Sequence, residues 1–358
     1  MKWNQGIGWR VTMFHEKEAR AEEKSIATGP LLRIQDLKKY FLLKRTTIWG
    51  PRERVHAVDG VSLDVERGET LGLVGESGCG KSTLGRTVLR LIEPTAGKIF
   101  YEGQDITGIK GEKLKKFRSE MQIIFQDPYS SLNPRLTVEH IVGDALKAHE
   151  LARGSEVADR VADMLGKVGI HKEKMKCFPH EFSGGQRQRI GIARALILQP
   201  KVVICDEPVS ALDVSIQAQV INLLNELKSE FRLSYMMIAH DLSVINHVSN
   251  RIAVMYLGKV IELASNQTLL AKPLHPYTQA LLSAIPVMDP DQKKKRIMLK
   301  GEVPSPVNPP AGCRFHPRCH RAMDICPRSE PLWAEVESGH FAMCHLYEPC
   351  RPMEFAAA

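Results

Sequence analysis

Residues 75–82 read Gly75-Glu76-Ser77-Gly78-Cys79-Gly80-Lys81-Ser82, and Thr83 follows. The stretch fits the pattern G-x-x-x-x-G-K-[ST]. Upstream, Thr70 to Val74 is an apolar run of strand length. Downstream, Leu84, Val88 and Leu91 share one helical face, and Pro94 stops the helix. A strand, a Gly-rich loop and a helix in that order are the context in which the pattern carries chemistry. The glycines let the backbone wrap an anion, so that N–H groups and the helix N-terminus point at phosphate oxygens. Gly75, Ser77, Gly78, Cys79, Gly80, Lys81, Ser82 and Thr83 form the expected nucleotide phosphate-binding loop. Lys81 reaches the β- and γ-phosphates and the Ser82 hydroxyl ligates Mg²⁺.

A second segment completes this half-site. Val202 to Cys205 is an apolar strand that delivers Asp206 and Glu207 at its C-terminal end. Asp206 is placed to hold Mg²⁺, and Glu207 to polarise an attacking water as general base.

Working outward, the pattern is α/β. Val61, Leu63 and Val65 alternate with polar residues, and Gly97 to Tyr101, Met121 to Phe125 and Tyr235 to Ala239 read as further strands. Val214 to Phe231 reads as a helix. Strands alternating with helices imply a parallel sheet covered on both faces. Between 137 and 178 the period turns helical: Val138, Ile141, Val142, Ala145 and Leu146 form one stripe, and Val157, Val161, Met164, Leu165 and Val168 another. Residues 1–29 show no periodicity and read as a flexible extension. The stretch 303–312 carries four prolines and fits neither helix nor central strand.

Composition excludes several classes. The chain has 358 residues, 43% hydrophobic and 25% charged, with a formal charge of +8. That is the balance of a globular protein whose core needs no disulfides. No apolar run reaches the ~18 residues of a membrane span, and residues 15–24 are nearly all polar or charged, so no signal peptide is expected. The eight cysteines are therefore expected in a reducing compartment. A charge of +8 over this length reads as a mixed surface, and no nucleic-acid partner is expected.

With those motifs in place the chain resembles the ABC (ATP-binding cassette) ATPases. Phe182-Ser183-Gly184-Gly185-Gln186 is similar to their signature motif, with Phe182 at the position usually held by Leu. Ser183, Gly184, Gly185 and Gln186 would open a helix whose N-terminus meets ATP held by the opposite subunit. The resemblance implies further roles. Gln126 is the Q-loop residue that senses Mg²⁺ and water. Ser210 and Asp213 lie in the loop crossing a dimer interface. His240 is the switch histidine at the γ-phosphate. Tyr40 is the aromatic that stacks on adenine, with Phe41 as the fallback. The fold it implies is a P-loop NTPase cassette with a mixed or parallel sheet core, a helical insertion and a small Cys-rich C-terminal extension. The cassette would span 30–272, its helical subdomain about 127–198, and the extension 273–358.

The resemblance narrows to oligopeptide/dipeptide importer ATPases through Phe125-Gln126-Asp127-Pro128, Ser131-Leu132-Asn133-Pro134-Arg135, His275-Pro276-Tyr277 and Gly301 to Pro306. Arg90-Leu91-Ile92-Glu93-Pro94 favours the second of the two ATPase subunits in such systems. This implies an ATP-hydrolysing, energy-coupling subunit of a bacterial peptide importer, peripheral at the cytoplasmic face of the inner membrane. Its partners would be a related ATPase subunit, two transmembrane permeases and an extracytoplasmic peptide-binding protein. The same motifs occur in nickel, glutathione and opine importers, and a non-transport ABC ATPase is the more distant alternative.

Five of the eight cysteines fall between Cys313 and Cys350. Cys313, Cys319, Cys326 and Cys344 have the spacing C-x5-C-x6-C-x17-C, suited to a [4Fe–4S] cluster by likeness to the family, with zinc as the alternative. Cys350 falls outside that pattern. Cys79 reads as incidental to the phosphate loop, though its alkylation is expected to block ATP.

Overall fold

The computed structural model describes residues 29–43, 52–284 and 296–347. The expected extension 1–29, save Gly29, and Cys350 lie outside them. The strands are β1 (Leu32–Leu42), β2 (Arg54–Val65), β3 (Thr70–Val74), β4 (Ala96–Tyr101), β5 (Gln104–Asp105), β6 (Met121–Ile124), β7 (Val202–Asp206), β8 (Ser234–Ala239), β9 (Arg251–Tyr256), β10 (Lys259–Ser265), β11 (Ala334–Glu337) and β12 (His340–Ala342). The helices are α1 (Lys81–Val88), α2 (Gly111–Glu120), α3 (Pro128–Ser131), α4 (Val138–Ala148), α5 (Ser155–Lys167), α6 (Gly184–Leu196), α7 (Val214–Phe231), α8 (Leu242–Asn246), α9 (Asn266–Ala271) and α10 (Pro276–Ser283).

The main sheet has the order β11-β12-β10-β9-β3-β8-β7-β6. Strands β6, β7, β8, β3 and β9 run parallel, and β10, β12 and β11 continue the edge antiparallel. The central strands β3, β7 and β8 are buried throughout. This is why they read as continuous apolar runs and not as alternating ones. Helix α1 lies directly on β7 and β8. A Cβ at Gly85 would sit 3.0 Å from both Ile204 and Ile238, so a larger residue there would push the helix off the sheet. A separate antiparallel sheet, β2-β1-β4-β5, stands over one side of the phosphate loop.

The insertion is helical as the periodicity implied. Val138, Ile141, Val142 and Leu146 of α4 pack with Val157, Val161, Met164 and Leu165 of α5 in one buried cluster. One detail differs from expectation. α1 ends at Val88, so Leu91 is not on its buried face but 47% exposed. The stop comes from Arg90, which takes a left-handed φ of 55° and buries its guanidinium under the Ile106 carbonyl and the Glu93 carboxylate. Pro94 acts only after the helix has ended.

The C-terminal part is tied to the sheet by buried polar groups. Glu262 on β10 is fully buried, and its carboxylate meets His340 Nε2 on β12 at 2.8 Å. It also accepts the N–H groups of Leu274 (2.7 Å) and His275 (2.9 Å). A buried carboxylate is tolerable when so fully hydrogen-bonded. His275 caps α10, its Nδ1 accepting from Tyr277 N–H at 3.1 Å, with Pro276 at the first helical position. The His-Pro-Tyr motif is thus a helix start bolted to the sheet.

Candidate nucleotide site

The phosphate loop joins β3 to α1. Gly80 takes φ 107°, and a Cβ there would lie 1.9 Å from the Ala57 carbonyl oxygen, so only glycine fits. Lys81 folds back over the loop, donating to the carbonyls of Gly75 (2.7 Å) and Glu76 (3.0 Å). Ser77, Gly78, Gly80, Lys81, Ser82 and Thr83 line a cleft of about 330 Å³, which Gln126, Glu207, Phe41, Val55, Ala57 and Pro306 complete. Pro306 comes from the proline-rich stretch, whose backbone is fixed when Pro306 accepts from His56 N–H at 2.9 Å.

The acid pair meets the loop from β7. Asp206 is fully buried; its Oδ1 accepts from Ser82 Oγ at 2.6 Å, and its Oδ2 lies 3.3 Å from the Arg86 guanidinium. Glu207, one residue on, has φ 48°, a left-handed conformation uncommon outside glycine and frequent where strain serves function. That turn swings its carboxylate into the cleft. There Gln126 Nε2 donates to Glu207 Oε2 at 2.8 Å, and His240 Nδ1 is 3.4 Å from the same oxygen. Three strand ends, of β6, β7 and β8, therefore deliver Gln126, Glu207 and His240 to one point, at the carboxyl edge of the sheet. The Ser82 hydroxyl, the Asp206 carboxylate and the Gln126 amide oxygen are hard oxygen donors of the kind Mg²⁺ takes.

One expected ATP contact, Tyr40, is corrected, and a second, Cys79, is narrowed to its backbone. Tyr40 does not face the cleft. Its hydroxyl donates to Asp59 and its ring lies 4.5 Å from that of His56, while Phe41, next along β1, lines the cleft. Alternation along the strand sends the two rings to opposite faces. Burial and the Asp59 carboxylate push the Tyr40 phenol up to about 12. Burial opposes ionisation of Asp59, but hydrogen bonds from Tyr40 and Arg314 outweigh it and hold the carboxyl low. Cys79, likewise, turns its thiol into the core beneath the loop, is 5% exposed, and has its pKa raised by burial. The thiol is therefore poorly placed to meet an alkylating reagent, and only the backbone of Cys79 belongs to the loop.

The signature residues lie elsewhere. Ser183 caps α6, its Oγ accepting from Gln186 N–H at 3.3 Å while Gln186 Oε1 accepts from Ser183 N–H at 3.1 Å. This reciprocal capping box fixes the helix start. Ser183 is exposed and lines no part of the cleft above. Ser210 is anchored to the Glu207 carbonyl at 3.2 Å, while Asp213 and the following Val214, 82% exposed, lie on the surface at the start of α7.

Cys313, Cys319, Cys326 and Cys344 are free thiols in one neighbourhood, close enough that the others add to the raised pKa values of Cys313, Cys319 and Cys344. Burial, followed by those neighbours, pushes Cys313 up to about 12 and Cys344 up to about 11. Cys319 Sγ accepts from Arg321 N–H and Cys326 Sγ from Met323 N–H, each at 3.4 Å. Among the described residues, however, no group of three or more His, Cys, Asp or Glu side chains is assembled to hold a metal ion. What the spacing suggested as a metal centre is here a gathering of thiols, not a preformed site.

Sequence reasoning named Glu76, Tyr277 and Pro306 only as members of motifs, with no role at the cleft, and missed Arg86 and Arg318. Of the two missed, only Arg86 had a local signal, one helical turn beyond Ser82 on the same face.

A phosphate loop, a strand-end Asp-Glu pair and a capped signature helix set apart from the cleft define an ABC-type ATPase. The ABC transporter family pattern matches residues 58–210, and that of the oligopeptide/dipeptide transporter C-terminal region matches residues 261–326. The chain belongs to the ABC transporter family of oligopeptide transport ATP-binding proteins. It is 53% identical over 320 residues to the oligopeptide transport ATP-binding protein AppF of Bacillus subtilis (strain 168), covering 88% of this chain and 97% of that protein. It is 50% identical over 324 residues to OppF of Salmonella typhimurium (strain LT2), covering 89% and 97%. The dimeric post-hydrolysis structure of the ATP-binding cassette MJ0796 bound to ADP and Pi aligns with a TM-score of 0.59 and 26% identity, over 66% of this chain and 98% of that one. Among the described residues no helix is long and apolar enough to cross a membrane.

Proposed function

We propose that the chain is the ATP-hydrolysing, energy-coupling subunit of a bacterial peptide importer. It works as a heterodimer with a related ATPase, seated on the cytoplasmic side of two permeases that an extracytoplasmic peptide-binding protein supplies. The observation that carries this reading is the likeness to oligopeptide transport ATP-binding proteins, which extends through the C-terminal region and not the cassette alone. On this reading 30–272 is the cassette, with its helical subdomain at about 127–198, and 273–358 the family's extension.

The chemistry follows from the cleft. Phe41 stacks on adenine, the loop N–H groups and Lys81 bind the phosphates, and Glu207 takes a proton from the attacking water. The water oxygen bonds to the γ-phosphorus as the bond to the β-phosphate oxygen breaks, giving ADP and phosphate. Gln126 and His240 hold the Glu207 carboxylate in its aim. Ser82, Asp206 and Gln126 would hold Mg²⁺, which neutralises charge on the β- and γ-phosphates. Ser183, Gly184, Gly185 and Gln186 complete the partner's cleft, and Ser210 and Asp213 line the subunit boundary; the exposure of Ser183 away from its own cleft supports this trans role. The four cysteines hold a [4Fe–4S] cluster. Four soft donors in one neighbourhood support a metal–thiolate site, and the spacing C-x5-C-x6-C-x17-C, which lacks the close cysteine pairs usual at structural zinc, favours the cluster over zinc.

Uptake of labelled di- and oligopeptides is the deciding test. A strain lacking this chain is expected to lose peptide uptake and regain it on complementation. Retained peptide uptake with lost nickel, glutathione or opine uptake would move the cargo to those classes. Anaerobic purification is expected to give about four irons and four sulfides per chain; zinc or no metal would overturn the cluster assignment and leave the ATPase intact.

A further inference from the structure

Glu76, the second residue of the phosphate loop, is absent from the lining of the cleft, yet every polar group it has is engaged. Its carbonyl accepts from Lys81 Nζ at 3.0 Å. Its backbone N–H donates to the Tyr277 hydroxyl at 2.9 Å. Its carboxylate receives both arms of the Arg318 guanidinium, Oε2 at 2.7 Å and Oε1 at 3.1 Å. Two of those three partners come from the C-terminal part of the chain, and Arg318 is 242 residues away in sequence.

Arg318 is itself held firmly. It is only 9% exposed and ends the short turn His316–Arg318. Its guanidinium lies 5.9 Å from the Tyr256 ring centre. Tyr256, Tyr277 and Phe315 pack ring against ring, with centroids 4.8 to 5.4 Å apart. An aromatic knot therefore fixes both the Arg318 fork and the Tyr277 hydroxyl before either meets the loop. A planar fork on a carboxylate fixes orientation as well as distance, which a lysine ammonium cannot do.

We propose that Arg318 is a positioning residue for ATP binding, with Tyr277 its second anchor: together they clamp Glu76 from behind and hold the loop, with Lys81 resting on it, in the shape that receives the phosphates. The C-terminal extension is thereby a working part of the nucleotide site and not an appendage. The clamp acts on the ATP loop and is independent of which cargo is carried. Preorganised groups bind more tightly because less freedom is lost on binding.

The test is equilibrium titration of the full chain with a fluorescent ATP analogue in Mg²⁺, alongside thermal melting of the nucleotide-free chain. Arg318→Met, which keeps the stem volume and removes the fork, is expected to raise the Kd at least fivefold while the chain still melts cooperatively. Arg318→Lys is expected to recover only part of that loss. The exchange of charges, Glu76→Arg with Arg318→Glu, is expected to bind more tightly than either single variant, which lost packing alone would not produce. Should Arg318→Met fail to fold, Glu76→Gln decides, since it keeps Arg318 and the aromatic knot: a Kd raised threefold or more supports the clamp. A Kd within twofold of wild type in Glu76→Gln, or no recovery in the exchanged pair, overturns it.

Discussion

The Ser82 hydroxyl donates to the Asp206 carboxylate across 2.6 Å, so a loop residue and a strand-end residue 124 positions apart are already in contact. Arg86 holds the other carboxylate oxygen at 3.3 Å. The expected Mg²⁺ ligands thus share a pre-set geometry, with a cation standing by to balance Asp206. We expect Asp206→Asn to raise the half-saturating Mg²⁺ concentration for hydrolysis at least tenfold, because an amide is a poorer ligand for a hard cation. A Mg²⁺ titration at saturating ATP checks this; an unchanged midpoint would remove Asp206 from the metal site.

Glu207 is the point where Gln126 and His240 converge. Glu207→Gln keeps the size and the hydrogen bonding but cannot take a proton. Turnover with the partner subunit is expected to fall by about 10²–10⁴, while ATP still binds the Lys81 loop. Single-turnover phosphate release against nucleotide binding separates the two effects. Turnover near wild type would reassign the base.

Phe41 and Tyr40 should separate cleanly. Phe41→Ala is expected to weaken ATP binding about two- to thirteenfold, the worth of one stacking contact of about 0.5–1.5 kcal/mol. Tyr40→Phe is expected to leave ATP binding unchanged and lower stability by about 1 kcal/mol through the lost bond to Asp59. Nucleotide titration and thermal melting of the two variants check this, and the opposite pattern would restore Tyr40 to the adenine.

His275 gives a pH signature. Burial lowers its pKa to about 4 from the ordinary 6.5, so it is neutral when folded. The folded value lies below the unfolded one, so the unfolded chain binds more protons between them. The contribution is fully present above about pH 6.5 and is lost as pH falls towards 4. Its full size is about 3 kcal/mol. Urea midpoints measured from pH 7.5 to 4.5 should fall in the wild type and fall less steeply in His275→Asn, whose side-chain oxygen can still cap α10. Parallel curves would show that another group dominates.

The sequence displays Lys81, Ser82, Asp206, Glu207, Gln126 and His240 because each stands at the end of a buried strand or inside a loop with fixed spacing. Order alone places them at one edge of a parallel sheet. Which of Tyr40 and Phe41 faces the cleft is hidden for a physical reason. β1 pairs with β2 through several register shifts, one of them between Lys39 and Tyr40, and each such shift resets which side chain faces the cleft. The Arg318–Glu76 contact is hidden because nothing local marks it. The hairpin of β11 and β12 is hidden because strands of four and three residues carry too little periodicity to see.

Loop and clamp are also made at different times. Glu76 leaves the ribosome 242 residues ahead of Arg318. At roughly 5–20 residues per second this is a delay of about 12–50 s. Over that interval the nascent cassette carries its phosphate loop without the guanidinium that braces it, and firm capture of nucleotide must wait for the extension to emerge.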